Sequence, residues 1–225
     1  VAVNFKLQDG DSVQPGDTVA VVTGPVASIL TGERVAINFL AFLSGIATAT
    51  RRFANAASST GKARILDTRK TLPGYRALSK YAVRCGGGKN HRQGLYDMVL
   101  IKDNHIDFAG SVKNVVSQVR SKLHEDFTIE VECRTLAEVR EALDSGISLI
   151  MLDNMDEELV QGAIALREGP GYGHNEFANV EFEASGKMDI ESVKTMSKAG
   201  VDYISVGSLT HSVRSFDFSL ITEAP

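Results

Sequence analysis

No tryptophan occurs in this chain, and cysteine and proline are scarce: two Cys (Cys85 and Cys133) and five Pro. Two isolated cysteines, with no CxxC pair and no histidine at metal spacing, exclude a disulfide framework and a zinc-ribbon site. They fit a reduced, cytoplasmic interior. Scarce proline and the absence of low-complexity stretches argue against long disordered tails. No charge of one sign dominates, the net charge being −4. That excludes whole-molecule attraction to nucleic acid or an anionic membrane, so any strong basicity must be local.

Long apolar runs are missing too. Val35 to Ala49 is interrupted by Asn38 and Ser44 and bounded by Arg34 and Arg51. A bilayer span needs roughly 18 or more uninterrupted apolar residues, so this segment is expected as a buried helix. The first residues, Val1 to Phe5, carry neither an initiator methionine nor a signal-peptide pattern. They begin in what reads as the middle of a strand, and a fragment of a longer chain is expected.

What remains is 225 residues with 43% hydrophobic content, enough for one large domain or one domain plus an appendage. Residues 1–30 read as short β segments joined by turns at Asp9-Gly10-Asp11 and Pro15-Gly16-Asp17. Their spacing is similar to a lipoyl or biotinyl sandwich, but no lysine sits in a hairpin where attachment would need it. From Gly32 to about Ser59 a helix is expected, apolar over most of its circumference and therefore buried on more than one side, as between two subunits.

Beyond it, strands and helices alternate. Strands are expected at 63–66, 98–101, 128–131, 149–152, 180–182 and 203–206. Helices are expected at 74–84, 111–123, 136–144, 157–167 and 190–198. Six βα units predict a parallel sheet rolled into an α/β barrel, with six clear strands where a full barrel has eight; a doubly wound open sheet is the runner-up.

Each strand runs into a polar or glycine-rich exit: Asp67-Thr68-Arg69-Lys70, Lys102-Asp103-Asn104-His105, Glu132, Asp153-Asn154, Glu183-Ala184-Ser185-Gly186 and Gly207-Ser208. One such exit is what any strand needs to reach solvent. Six around one mouth are where barrel enzymes place their sites. Arg69, Lys70 and Lys102, with His91 and Arg92 in the loop after Cys85-Gly86-Gly87-Gly88, would repel one another unless an anion filled the space between them. Glu132 and Asp153 suit Mg²⁺ beside a phosphate, or ion pairing with the cations opposite. Ser185-Gly186 and Gly207-Ser208 let backbone N–H groups approach an anion, and His211 lies one turn beyond Gly207.

These residues, in this order, resemble the quinolinate phosphoribosyltransferase family. The matching stretches are residues 33–40, 43–48, 67–74, 80–88, 90–97, 100–106, 151–155 and 205–212, among them Asp-Thr-Arg-Lys-Thr-Leu-Pro-Gly and Leu-Ile-Lys-Asp-Asn-His-Ile. The resemblance implies an incomplete α/β barrel over 32–210, preceded by the remainder of a small α+β sandwich domain (1–31). Residues 211–225 would return to the sandwich. The implied reaction transfers the phosphoribosyl group of phosphoribosyl pyrophosphate to quinolinate, with decarboxylation, in NAD biosynthesis. The implied assembly is a homodimer in which Arg34 reaches the neighbouring site.

By motif match, Arg69, His91, Arg92 and Lys102 are implied as further quinolinate contacts, and Lys70 lies near the pyrophosphate. Glu132 and Asp153 are implied beside ribose and Mg²⁺, contacting the metal directly or through water. Ser185, Gly186, Gly207 and His211 are implied as the 5′-phosphate cradle. Lys187 stands where the family usually carries glycine, and residues 168–179 read as a surface excursion. A nicotinate-using transferase would need fewer cations than Arg34, Arg69, His91, Arg92 and Lys102 provide. An inactive binding protein is the alternative from a different class.

Overall fold

The computed structural model describes residues 1–123, 127–169, 177 and 179–222. The surface excursion expected at 168–179 lies mostly outside them. Two short antiparallel strands, β1 (Ala2–Phe5) and β2 (Ala20–Thr23), open the chain. Helix α1 (Val26–Ser58) follows. It starts six residues earlier than Gly32, because Pro25 at its N-cap, with φ −60°, presets the first turn. By length and composition alone α1 would pass for a membrane span. Its C-terminal half instead buries Ile46, Thr50, Ala56 and Ala57, and the helix packs on α2, α7 and β3. The N-terminal half leaves Val26, Leu30, Val35, Phe39 and Leu40 exposed.

Six parallel strands then alternate with helices: β3 (Arg64–Leu66), α2 (Arg76–Cys85), β4 (Val99–Ile101), α3 (Asp103–Ala109), α4 (Val112–Arg120), β5 (Ile129–Cys133), α5 (Leu136–Asp144), β6 (Leu149–Asp153), α6 (Glu157–Glu168), β7 (Glu181–Ser185), α7 (Ile190–Ala199), β8 (Tyr203–Ser205) and α8 (Ser208–His211). Their order in the sheet is β3-β8-β7-β6-β5-β4. From β4 to β8 each new strand adds to the same edge, and β8 returns to pair with β3. A doubly wound sheet would reverse direction midway. This is an open barrel with a seam between β3 and β4. At that seam Lys89 bridges to β3: its N–H donates to the Ile65 carbonyl at 2.8 Å, and its own carbonyl accepts from Asp67 N–H at 3.2 Å.

The strands sort their side chains by alternation. Ile65, Val131, Cys133, Ile150, Leu152, Phe182, Ala184 and Ile204 face outward into a core shared with Val83, Val115, Val139, Val160 and Val193 of the helices. Glu130, Glu132, Met151, Asp153, Glu183, Ser185 and Ser205 share the inner face by register. Two expected strand ends move as a result. Glu132 is inside β5, which runs to Cys133, and Glu183 is inside β7, which runs to Ser185. Both glutamates therefore point into the barrel where an exit to solvent was expected. The short α3 and α8 were not expected, because neither is long enough to show helical periodicity.

Helices α4, α5, α6 and α7 are each capped by the side chain before them. Ser111, Thr135, Asp156 and Asp189 accept from the backbone N–H of Asn114, Glu138, Leu159 and Ser192. At the other end of the chain, Phe216 N–H donates to the Ala41 carbonyl of α1 at 2.9 Å. Phe216 and Phe218 line a cavity of about 310 Å³ together with Phe5, Leu7 and Leu40.

The crossing of this terminal segment over α1 fixes Gly45, where an added Cβ would lie 2.3 Å from the Arg214 carbonyl oxygen. Gly45→Ala should lower stability by about 1–3 kcal/mol, because a backbone oxygen cannot rotate away. Gly32→Ala on the same helix meets nothing within 4 Å and should raise stability by up to about 1 kcal/mol. Thermal unfolding of the two variants checks the opposite signs.

Candidate active site

The mouth of the barrel gathers most of the predicted residues. Lys102, at the end of β4, donates from Nζ to Glu132 Oε2 on β5 at 2.6 Å. The two are partners in this structure, which realises the ion-pairing alternative for Glu132. Asp153, the last residue of β6, accepts from Asn154 Nδ2 at 2.7 Å. Its register partner on β7 is Ser185. Gly186 follows with φ +144°, and a side chain there would press on Asn154 Oδ1. Asn154 is itself in the left-handed region, at φ 51°.

Gly207 sits against both Lys70 and His211. A Cβ at Gly207 would lie 3.2 Å from His211 Nε2 and 3.4 Å from Lys70 Cδ. Thr210 Oγ1 donates to the Lys70 carbonyl at 2.9 Å, fastening the loop after β3 to the start of α8. Helix α8 begins with no side-chain cap. The result is a glycine-floored recess with a lysine and a histidine on its walls.

Arg69 and Arg92 stand on loops that Arg76 ties together, its guanidinium donating to the Arg69 and Gln93 carbonyls at 3.1 Å each. Burial and then the adjacent Arg69 push the Arg92 guanidinium below its ordinary pKa, without discharging it. Arg92 also donates to the Met98 carbonyl at 3.2 Å. Arg34 does not join them. It stands on the exposed half of α1, its side chain 68% accessible, with only Glu33 nearby at 3.9 Å.

His91 departs from its expected place. Its ring is turned inward, with Nε2 3.0 Å from Glu130 Oε2 and 3.6 Å from Glu183 Oε2. Nδ1 accepts from the Arg92 backbone N–H at 2.7 Å. The imidazole is committed to buried carboxyls beneath the cations and does not stand free at the rim. Burial lowers its pKa, opposed by Glu183. Burial drives Glu130 up to about 7, and burial together with Glu130 drives Glu183 up to about 8. His91 Nε2 faces both carboxyls, and once one of them is protonated the two can also bond to each other. His91, Glu130 and Glu183 place ligand atoms within 4.8 Å of one another. A cation there would meet the positive field that Arg92 and Lys102 already exert on Glu130, so a proton is the easier neutraliser.

Joined to this group through the His91 backbone is a cluster centred on Asp67. It accepts from Lys80 Nζ, from Asn90 Nδ2 and from the His91 backbone N–H at 2.9 Å. Asp67 and Lys80 are both wholly buried. Burial pushes Asp67 up and Lys80 down, and their contact opposes both shifts. In the sequence Asp67 and Glu183 are read only as parts of strand exits, and Lys80 and Glu130 are given no role. The available signal for the two glutamates was Ile-Glu-Val-Glu-Cys and Glu-Phe-Glu-Ala-Ser, with charge at every second strand position.

Comparison with known proteins adds a separate line of support. Residues 1–44 and 46–221 match the families described as quinolinate phosphoribosyl transferase, N-terminal domain and C-terminal domain. A probable nicotinate-nucleotide pyrophosphorylase [carboxylating] of Bacillus subtilis is 44% identical over 213 residues, covering 95% of this chain and 70% of that one. A quinolinate phosphoribosyltransferase [decarboxylating] of Nicotiana glauca is 45% identical, covering 97% of this chain and 64% of that one. Against that plant relative, then, the chain spans less than two thirds of its length. The crystal structure of NadC from Streptococcus pyogenes superposes with a TM-score of 0.88 at 41% identity, covering 97% of this chain and 74% of that one.

The carboxyl pair makes stability pH-dependent. Because folding raises the pKa of Glu130 and Glu183, their contribution is complete below the ordinary glutamate value and is lost as pH rises through 7 and 8. His91 acts oppositely, since its lowered pKa costs stability only below about 6.5. Between pH 6.5 and 8 the carboxyls therefore decide, and stability should fall by about 2 kcal/mol. Glu183→Gln should flatten most of that slope in urea titrations run across the window; an unchanged slope would refute the assignment.

Proposed function

The chain belongs to the quinolinate phosphoribosyltransferase family, and from that premise we propose that the protein it represents joins quinolinate to phosphoribosyl pyrophosphate. The products are nicotinate mononucleotide, pyrophosphate and CO₂. The observation that carries this reading is the juxtaposition of Arg69 and Arg92 at a barrel mouth that also holds Lys102. Like charges held together out of water favour an anion between them. Quinolinate, a planar dianion, meets that requirement, and each charge-assisted hydrogen bond is worth about 1.5–3 kcal/mol. Nicotinate carries one carboxylate and would leave cations unmatched.

Next to Arg69, where β8 pairs with β3, the recess formed by Gly207, Lys70 and His211 suits the 5′-phosphate. Glu132 and Asp153 lie on adjacent strands facing the same interior. Their hard oxygen donors fit Mg²⁺, held through water and substrate oxygens. Mg²⁺ would neutralise charge on the departing pyrophosphate. The two carboxylates face the sugar carbon that becomes cationic as that bond lengthens. The cations fix the pyridine nitrogen in line with that carbon. Once the nitrogen is quaternised, its positive charge stabilises the electron pair left at C2 as the C2–carboxylate bond breaks.

Arg34 and the exposed apolar residues around it support a homodimer in which Arg34 completes the partner's site. Free Cys85 and Cys133 accord with a reducing compartment such as the cytoplasm.

With Mg²⁺ present, the complete protein should release labelled CO₂ from carboxyl-labelled quinolinate only when phosphoribosyl pyrophosphate is added. Release without it, or turnover of nicotinate instead, would remove the assignment. Arg34→Ala and Lys102→Ala chains, each inactive alone, should recover up to about a quarter of native activity on mixing, since half the dimers then carry one intact site. No recovery would show that Arg34 acts within its own subunit.

A further inference from the structure

Helix α2 carries two cationic side chains one turn apart, Arg76 and Lys80, and neither is spent on solvent. Arg76 Nη2 donates to the Arg69 carbonyl at 3.1 Å, and its Nη1 donates to the Gln93 carbonyl, also at 3.1 Å. Lys80 Nζ donates to Asp67 and, at 2.8 Å, to the His91 carbonyl. Each residue thus holds one group from the loop after β3 and one from the loop before β4. Those loops lie on the two sides of the seam where the barrel has no strand pairing. They are also the loops that present Arg69 and Arg92.

Building on the proposed function, we infer that Arg76 and Lys80 are positioning residues which hold Arg69 and Arg92 at the separation a dianionic pyridine requires. Two guanidinium groups that feel each other's charge will separate unless their backbones are restrained. Elsewhere in the sheet the strand ladder supplies that restraint, but across the seam no ladder exists. The His91 peptide is clamped at both poles: its N–H donates to Asp67 and its carbonyl accepts from Lys80. Arg92 is the next residue along. Asp67, in turn, stands two residues before Arg69. The whole path between the two guanidinium-bearing residues is therefore buried polar contact anchored on one face of α2.

A loosened seam would affect the pyridine subsite and spare the phosphate recess, whose Lys70, Gly207 and Thr210 contacts lie on the side where β3 pairs with β8. The experiment measures kcat and both KM values for the full-length enzyme. It compares wild type, Arg76→Met and the double variant Asp67→Leu/Lys80→Met. The double variant removes both charges of the buried pair together and leaves neither uncompensated. Folding is followed by circular dichroism.

In either variant the KM for quinolinate should rise at least tenfold, while that for phosphoribosyl pyrophosphate stays within threefold. Arg76→Lys should recover part of the loss. An unchanged KM for quinolinate in folded Arg76→Met, or an equal rise in both KM values, would overturn the inference. Should the double variant not fold, the half-buried Arg76 variant alone decides. Wild type that fails to turn over quinolinate would instead sink the functional reading on which the inference rests.

Discussion

Holding positive charges close together without their usual hydration is the constraint from which the rest of this molecule follows. Arg69 and Arg92 would separate if their backbones were free, and the chain spends much of its buried polar chemistry on preventing that. The Asp67–Lys80 contact costs desolvation on both sides, and a pair of apolar residues could fill the space at least as stably. Its return is geometric. One carboxylate collects three donors from two segments, Lys80 of α2 and Asn90 and His91 of the loop before β4, and so ties them to the loop after β3.

Charge is layered beneath the mouth. The cations lie uppermost, the His91–Glu130–Glu183 group below them, and hydrocarbon outside the strands. The raised glutamate pKa values, about 7 and about 8, leave the lower layer with less than its full negative charge near pH 7, so it only partly offsets the cations. Lys102 is treated differently. It is paired directly with Glu132, so an anion entering the mouth would have to compete with that carboxylate for it.

Much of this was legible in the residues. Alternation of apolar strands with amphipathic helices located all six parallel strands, and α5 matched to the residue. The sequence also brought together Gly207 and His211, because glycine at a strand exit followed by histidine one turn later has a local signature; Lys70, read there as part of the cation pocket, stands against the same glycine. The inward glutamates and Lys80 were less accessible. A lysine on a helix reads as solvent-facing until its partner is known, and Asp67 is thirteen residues away across a turn. The orientation of the His91 ring was hidden for a related reason: spacing locates a residue on a loop, whereas the carboxyls that its ring faces come from β5 and β7. The extended reach of those strands, past Glu132 and Glu183, was hidden because charge ordinarily marks a strand's end.

The seam has a further consequence for assembly of the chain. Until α2 docks and Lys89 lies along β3, two strands present unsatisfied amide and carbonyl rows, and a naked row of that kind recruits any other extended chain it meets. The glycine run before Lys89 therefore does more than join two elements. By letting that segment lie against β3, it covers part of a border that would otherwise stay open to a neighbouring chain.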